Sequence, residues 1–104
     1  MARFDCWDNP IVDDRDLFPF VMEVQSDLLH AFVERVVVPL ASPGVIPGMT
    51  DRLNPLIQVR GAPYRLHPLG VAVFHRRDLR DHRGNAHRQA LEIDTALDML
   101  FRGY

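Results

Sequence analysis

The sequence predicts a mainly β domain that ends in one α-helix. Several short apolar segments alternate with turn-forming residues over most of the chain, which is typical of strands. One C-terminal stretch instead repeats its apolar residues with a helical period. A length of 104 residues with 47% hydrophobic residues suits one domain with a modest core. We therefore expect residues 1–104 to form a single domain.

The N-terminal part contains two predicted strands with an acidic loop between them. Residues 4–7 are expected to form a short strand that enters the sheet. Aspartates dominate the segment that follows and Asn9-Pro10 favours a turn, so residues 8–16 are predicted to be a solvated loop. Residues 20–25 begin with three apolar residues and then alternate polar with apolar, which predicts the second strand.

The middle of the chain contains further predicted strands and one long loop. Val36–Ala41 is rich in β-branched residues, although Pro39 requires an edge or bulge position because it lacks an N–H donor. Two prolines and two glycines make residues 42–48 a predicted loop. Three more strands are expected, the first two joined as a hairpin, at residues 56–59, 64–66 and 71–74.

A helix is predicted from about Ala86 to Phe101, where apolar residues recur at spacings of four and three. Asn85 is its predicted N-cap, and Gly103 stands where a left-handed C-terminal cap is expected. Short antiparallel strands followed by one amphipathic helix predict a small SH3-like barrel with the helix packed against it.

No pattern in the chain demands catalysis, a cofactor or a metal. The five histidines fit no ligand motif, because His82 and His87 are five residues apart and Gly84 lies between them. The single cysteine, Cys6, excludes an intramolecular disulfide. Neither a nucleophile motif nor a glycine-rich phosphate loop is present. We expect surface histidines and a protein that is not an enzyme.

Charge and hydropathy narrow the classes further. A net charge of -2 argues against a general nucleic-acid binder, and no apolar run reaches the length of a signal peptide or membrane span. A cytoplasmic protein without a membrane partner is expected. Residues 75–88 nevertheless contain five arginines against two aspartates. They are either a phosphate-binding strip or a solvated loop whose charges pair with those of the acidic N-terminal segment.

The last four residues allow a purely structural interpretation. Phe101 would close the helix core, Arg102 would complement the helix dipole and Gly103 would cap the helix. The alternative is that Phe101-Arg102-Gly103-Tyr104 forms a binding surface.

Two strings resemble the CcdB family of toxin–antitoxin toxins. Residues 20–29 match its F-V-x-V-Q-S-D segment with the two hydrophobic residues that follow, and residues 35–42 match its R-x-V-I-P-L segment. The likeness extends weakly over nearly the whole chain and is poorest at residues 8–16 and 43–55.

The resemblance implies an SH3-like barrel that functions as a homodimer. Such toxins bind the A subunit of DNA gyrase, trap the gyrase complex with cleaved DNA, and are not enzymes. A CcdA-like antitoxin neutralises them, and operator DNA is bound only by toxin and antitoxin together.

The resemblance also implies a gyrase-binding set by position. Its members in this sequence are Leu28, Leu29, Asp98, Phe101, Arg102, Gly103 and Tyr104. The best-known family members end in Trp-Gly-Ile, and here Arg102 stands in the place of the tryptophan. Two alternatives remain: a MazF-like mRNA interferase that uses the arginines and histidines of residues 75–88, and an inactive chromosomal homologue that only binds its antitoxin.

Overall fold

The computed structural model describes residues 1–103 and confirms a mainly β domain with one C-terminal helix. The predicted strands are present, with small shifts at their ends, together with one strand that was not predicted. The elements are β1 (Asp5–Asp8), β2 (Phe20–Glu23), β3 (Glu34–Ala41), β4 (Leu56–Val59), β5 (Ala62–Leu66), β6 (Ala72–His75), β7 (His82–Asn85) and α1 (Ala90–Arg102). α1 is too short and too polar to cross a membrane, and the described residues contain no other candidate.

The strands form one antiparallel sheet that curls into a nearly closed barrel. Its order is β4-β5-β3-β2-β1-β7, and β6 pairs with β3. The end strands β4 and β7 approach each other without a continuous ladder. The Gln58 N–H donates to the Gln89 side chain at 2.8 Å, and the Arg60 guanidinium donates to the His82 carbonyl at 3.2 Å. This closure is typical of the predicted SH3-like barrel.

Pro39 lies in the central strand β3 rather than at a sheet edge. On one side β3 pairs with β2 over its whole middle. On the other side Glu34–Val37 pairs with β6 and Leu40–Ala41 pairs with β5, so Pro39 falls between two partner strands. A residue without an N–H donor is tolerated at such a gap in the ladder. The expected edge or bulge is therefore replaced by a change of partner.

The main core lies between the inner face of the sheet and α1. Met22, Leu40 and Leu66 from the strands are fully buried against Ile93 and Ala96 of the helix. Alternate strand residues point the other way, as the two-residue period of a strand requires. Two of them, Val21 and Val37, form a smaller cluster on the opposite face with Leu79, which lies between β6 and β7.

The helix begins later than its sequence period indicates. A 3₁₀ turn occupies His87–Gln89, and α1 starts at Ala90. The N-cap of α1 is Gln89, so the prediction that Asn85 has this role was wrong. The Asn85 side chain instead accepts the His87 N–H at 2.8 Å, at the start of the 3₁₀ turn. The prediction for Gly103 is confirmed, because its φ is +83° and its N–H donates to the Asp98 and Met99 carbonyls at 3.2 Å.

Strand β7 lies within residues 75–88, for which no strand was predicted. Its sequence, His-Arg-Gly-Asn, has no apolar alternation, so the pattern for a half-buried strand is missing. Pairing with β1, in which Trp7 lies opposite His82 and Asp5 opposite Asn85, makes it a strand. Tertiary pairing has therefore overridden a weak local preference.

Candidate protein-binding surface

Residues 26–34, which we call the apolar loop, form an exposed segment that follows β2 and includes the first residue of β3. Leu28 is 91% exposed and Leu29 is 45% exposed, so both predicted residues present apolar surface to solvent. Phe32 and Val33 are exposed beside them and were missed. Their signal was available, because these two large apolar residues lie between predicted strands, where no strand pattern would bury them.

A short 3₁₀ turn at Asp27–Leu29 gives the apolar loop its local shape. The Ser26 hydroxyl accepts the Leu28 N–H at 3.2 Å, and the Leu29 N–H donates to the Ser26 carbonyl at 3.0 Å. Serine and aspartate favour such turns because their side chains bond to nearby backbone N–H groups. The turn holds the Leu28 side chain away from the barrel.

A buried polar network lies directly behind the apolar loop. The side chains of Glu23 and Arg35 are both fully buried and form an ion pair at 2.6 Å. The Trp7 indole N–H donates to the second Glu23 oxygen at 3.1 Å. The Arg35 Nη1 donates to the Leu29 carbonyl at 3.4 Å. Within residues 1–103, the Arg35 Nη2 is buried with no hydrogen-bond partner.

The end of α1 provides a second apolar group. Phe101 is 67% exposed, so the structural interpretation in which it closes the helix core was wrong. Leu97, one turn earlier, packs against the core instead. Asp98 is half-buried, and Arg102 and Gly103 are exposed. The predicted site residue Tyr104 lies outside the described residues.

Arg3 connects the apolar loop to the helix. Its N–H donates to the Asp27 carboxylate at 2.8 Å, and its guanidinium donates to the Asp94 carboxylate at 2.8 Å. Asp94 precedes Phe101 by seven residues, a rise of about 10 Å along the helix. Arg3 therefore contacts the N-terminal half of α1 and not the end that carries Phe101. The predicted site consists of two apolar groups, one on the apolar loop and one at the C-terminal end of the helix.

The basic segment 75–88 is tied to the acidic N-terminal segment. Arg83 binds Asp8 through two bonds of 2.8 and 2.9 Å, and His82 lies 2.9 Å from the Asp5 carboxylate. The hydrogen bond from Arg83 lowers the pKa of Asp8, and the same bond raises the pKa of Arg83. This intramolecular pairing favours the interpretation in which the charges of residues 75–88 pair with the acidic N-terminal segment, rather than a phosphate-binding strip.

A metal site requires several titratable side chains in a particular geometry. Within residues 1–103, no group of three His, Cys, Asp or Glu side chains has the geometry to hold a metal ion. Cys6 is buried, and burial raises the pKa of its thiol to about 12, which keeps it protonated and unreactive at neutral pH.

The fold and this surface define a class: a small SH3-like barrel with exposed apolar groups suited to contact with another protein. The CcdB protein family matches residues 3–103. The chain therefore belongs to the CcdB family and is a toxin of a type II toxin–antitoxin system. Membership implies an antitoxin partner. The resemblance seen in the two sequence strings is confirmed.

Comparison with solved structures supports the barrel. An endoribonuclease from a mycobacterial species is similar with a TM-score of 0.69 at 12% sequence identity. The match covers 95% of this chain and 88% of that chain. At this identity the similarity shows the fold alone. A search of curated protein sequences gives no match to the chain.

Proposed function

We propose that this toxin inhibits DNA gyrase, a type II topoisomerase, by binding its A subunit and trapping the complex with cleaved DNA. The observation that carries the proposal is the exposure of Leu28 and Phe101 at positions of the family's gyrase-binding set. Burying one such side chain in a complex contributes roughly 1.5–3 kcal/mol, so both together supply a useful part of a protein–protein contact.

Arg102 changes which side chain anchors the contact. Hot spots of protein interfaces are enriched in aromatic residues, and the best-known family members have tryptophan at this position. Here the neighbouring Phe101 is the exposed aromatic side chain at the end of α1. In our proposal Phe101 therefore takes the anchoring role, and Arg102 contributes a forked donor at the rim.

The proposal also covers the oligomeric state of the toxin and its other partners. The active species is a homodimer in the cytoplasm, and toxin and antitoxin together bind operator DNA. The outward row of Leu69, Val71 and Val73 supports dimerisation, because it exposes three apolar side chains at alternate positions before and along β6.

The test is a cleavage assay with purified gyrase and supercoiled plasmid. We expect the parent protein to accumulate linear DNA and to bind the gyrase A subunit. Phe101→Ala should need at least about tenfold more protein for the same effect, as expected for loss of a hot-spot side chain. Leu91→Ala is the matched control, since Leu91 is 79% exposed at the other end of the same helix. A parent protein that neither binds gyrase A nor yields linear DNA would contradict the proposal.

RNA cleavage is the second candidate. The similar structure named as an endoribonuclease and the arginines and histidines of residues 75–88 favour it. We rank it second because Arg83 and His82 are engaged by Asp8 and Asp5. Incubation with RNA separates the two functions, since RNA fragments without linear plasmid would reverse this order. The third alternative, an inactive homologue, predicts no growth arrest when the protein is overproduced without its antitoxin.

A further inference from the structure

The backbone carbonyl of Leu29 is a point of convergence beneath the apolar loop. Within residues 1–103 it accepts from Arg35 Nη1 at 3.4 Å, from Gln25 Nε2 at 3.2 Å and from the Phe32 N–H at 3.1 Å. A carbonyl oxygen has two lone pairs, so three donors saturate it. The Phe32 bond closes the loop, and the other two bonds fasten the loop to the barrel.

The two side-chain donors are themselves fixed inside the barrel. Gln25 is buried, and its side-chain amide oxygen Oε1 accepts the Val36 N–H at 2.9 Å. Arg35 is held by Glu23, and the Trp7 indole holds Glu23 in turn. A continuous chain of hydrogen bonds therefore runs from β1 through β2 and β3 to the Leu29 carbonyl.

Stability alone is a poor explanation for this network. Removing two charges from water is costly, and replacing a buried ion pair by apolar residues of similar size is often neutral or stabilising. The unpartnered Arg35 Nη2 adds a further cost, because a buried donor without an acceptor loses its hydration. What the network does provide is two fixed anchors for one atom of an exposed loop.

We propose that Arg35 and Gln25 are positioning residues that hold the apolar loop in the conformation presenting Leu28 and Phe32 to the target of the toxin. Glu23 and Trp7 act through Arg35. A loop fixed before binding loses less conformational entropy in the complex, which strengthens the contact. The identity of the target rests on the proposed function, whereas the fixing of the loop does not.

The first experiment measures amide hydrogen exchange in the full chain without any target. In the double variant Glu23→Leu/Arg35→Met we expect the Leu29 and Phe32 amides to exchange about tenfold faster, as expected for the loss of anchoring hydrogen bonds. Amides in the centre of β3 should keep their protection, and the melting temperature should be unchanged or higher. Arg65→Met is the matched control, since Arg65 is another strand arginine, paired with Asp51 at 2.7 Å away from the loop.

A second variant covers the case in which the double variant does not fold. Arg35→Lys keeps the charge opposite Glu23 but replaces the fork by one ammonium, which cannot span both Glu23 and the Leu29 carbonyl. Faster exchange at Leu29 and Phe32 is expected here as well. A folded variant of either kind with unchanged exchange at these amides overturns the proposal.

A binding measurement with the gyrase A subunit distinguishes failure of this proposal from failure of the proposed function. Affinity for the gyrase A subunit should fall about tenfold in the folded network variants, in proportion to the loosening of the loop. If the parent protein shows no gyrase binding while exchange still accelerates in the variants, the proposed function fails and the positioning role stands. If the parent binds gyrase and a variant with a loosened loop binds equally well, the positioning role is wrong.

Discussion

Asp5 shows how a single buried carboxylate joins the N-terminal residues to β7. Its oxygens accept from the Ala2 N–H at 2.7 Å, the Asn85 amide at 3.0 Å and the His82 ring at 2.9 Å. Burial acts to raise the pKa of Asp5, but these hydrogen bonds, that of Asn85 foremost, outweigh it and leave the pKa below its ordinary value of 3.8. A carboxylate with a lowered pKa in the folded state stabilises the fold above its unfolded pKa and ceases to do so as the pH falls through the folded value.

We therefore predict that Asp5→Asn lowers the free energy of unfolding by about 2 kcal/mol at pH 7, because buried donors lose a charged acceptor. The difference between parent and variant should shrink as the pH falls below 3.8, where the parent carboxylate also becomes protonated. Urea unfolding at several pH values measures both. Asp13→Asn, in the exposed acidic loop, should have no comparable effect. A pH-independent difference would mean that the charge of Asp5 is not involved.

The site residues differ in how far the sequence predicts them. Leu28 and Leu29 follow the polar pair Ser26-Asp27 and are exposed, as the family resemblance implies. Phe101 follows Leu97 by one turn and shares its helix face, so its periodicity predicts burial. The core ends before the last turn of α1, and periodicity carries no information about where a core ends. The sequence does not predict the buried Glu23–Arg35 pair either, because a charged residue in a strand pattern ordinarily indicates the solvent-facing side.

At the scale of elements, the end of α1 depends on one backbone conformation. Gly103 has a φ of +83°, in the left-handed region that side chains with a Cβ disfavour. Gly103→Ala should lower the free energy of unfolding by about 1 kcal/mol and loosen the last turn, which holds Phe101. Gly103→Asn should cost less, since asparagine tolerates this conformation better than alanine. Urea unfolding of the three proteins gives the order, and equal stability of parent and alanine variant would contradict it.

Some strands can be predicted from their local sequence pattern, whereas others form only because they pair with a neighbouring strand. β2 and β3 contain long apolar or β-branched runs and are recognisable alone. β7 has none, and it exists because its backbone completes a ladder with β1 while Asp5 and Asp8 bind its side chains. For Pro39 the sequence gives only part of the answer. The lack of an N–H donor is visible in the sequence, but the gap between the partner strands β5 and β6 that accommodates it is not.

For the whole molecule, the informative feature is apolar surface that the barrel does not use. Residues 68–74 alternate between more and less buried positions, and the outward ones are all large and apolar: Leu69, Val71 and Val73. Val73 pairs with Val36 across the β3–β6 ladder, so Val36 lies on the same face and extends it. A polar residue would be the ordinary choice at such positions in a monomer, and the row therefore favours a second copy of the chain as its cover.

We predict that the protein is a dimer in solution and that Val73→Arg converts it to a monomer. A two-fold interface of standard size buries roughly 800 Å² on each protomer and uses the same patch on both chains, so one substitution introduces two arginines into it. Their repulsion and desolvation oppose association, whereas an exposed position of β6 accommodates the side chain in the monomer. Light scattering with size-exclusion chromatography should give twice the mass of one chain for the parent and one chain mass for the variant. Val12→Arg is the matched control, because Val12 is 65% exposed in the acidic loop and should leave the dimer intact. A parent protein that remains monomeric at micromolar concentration, or a Val73→Arg variant that remains dimeric, would show that this face does not join two copies of the chain.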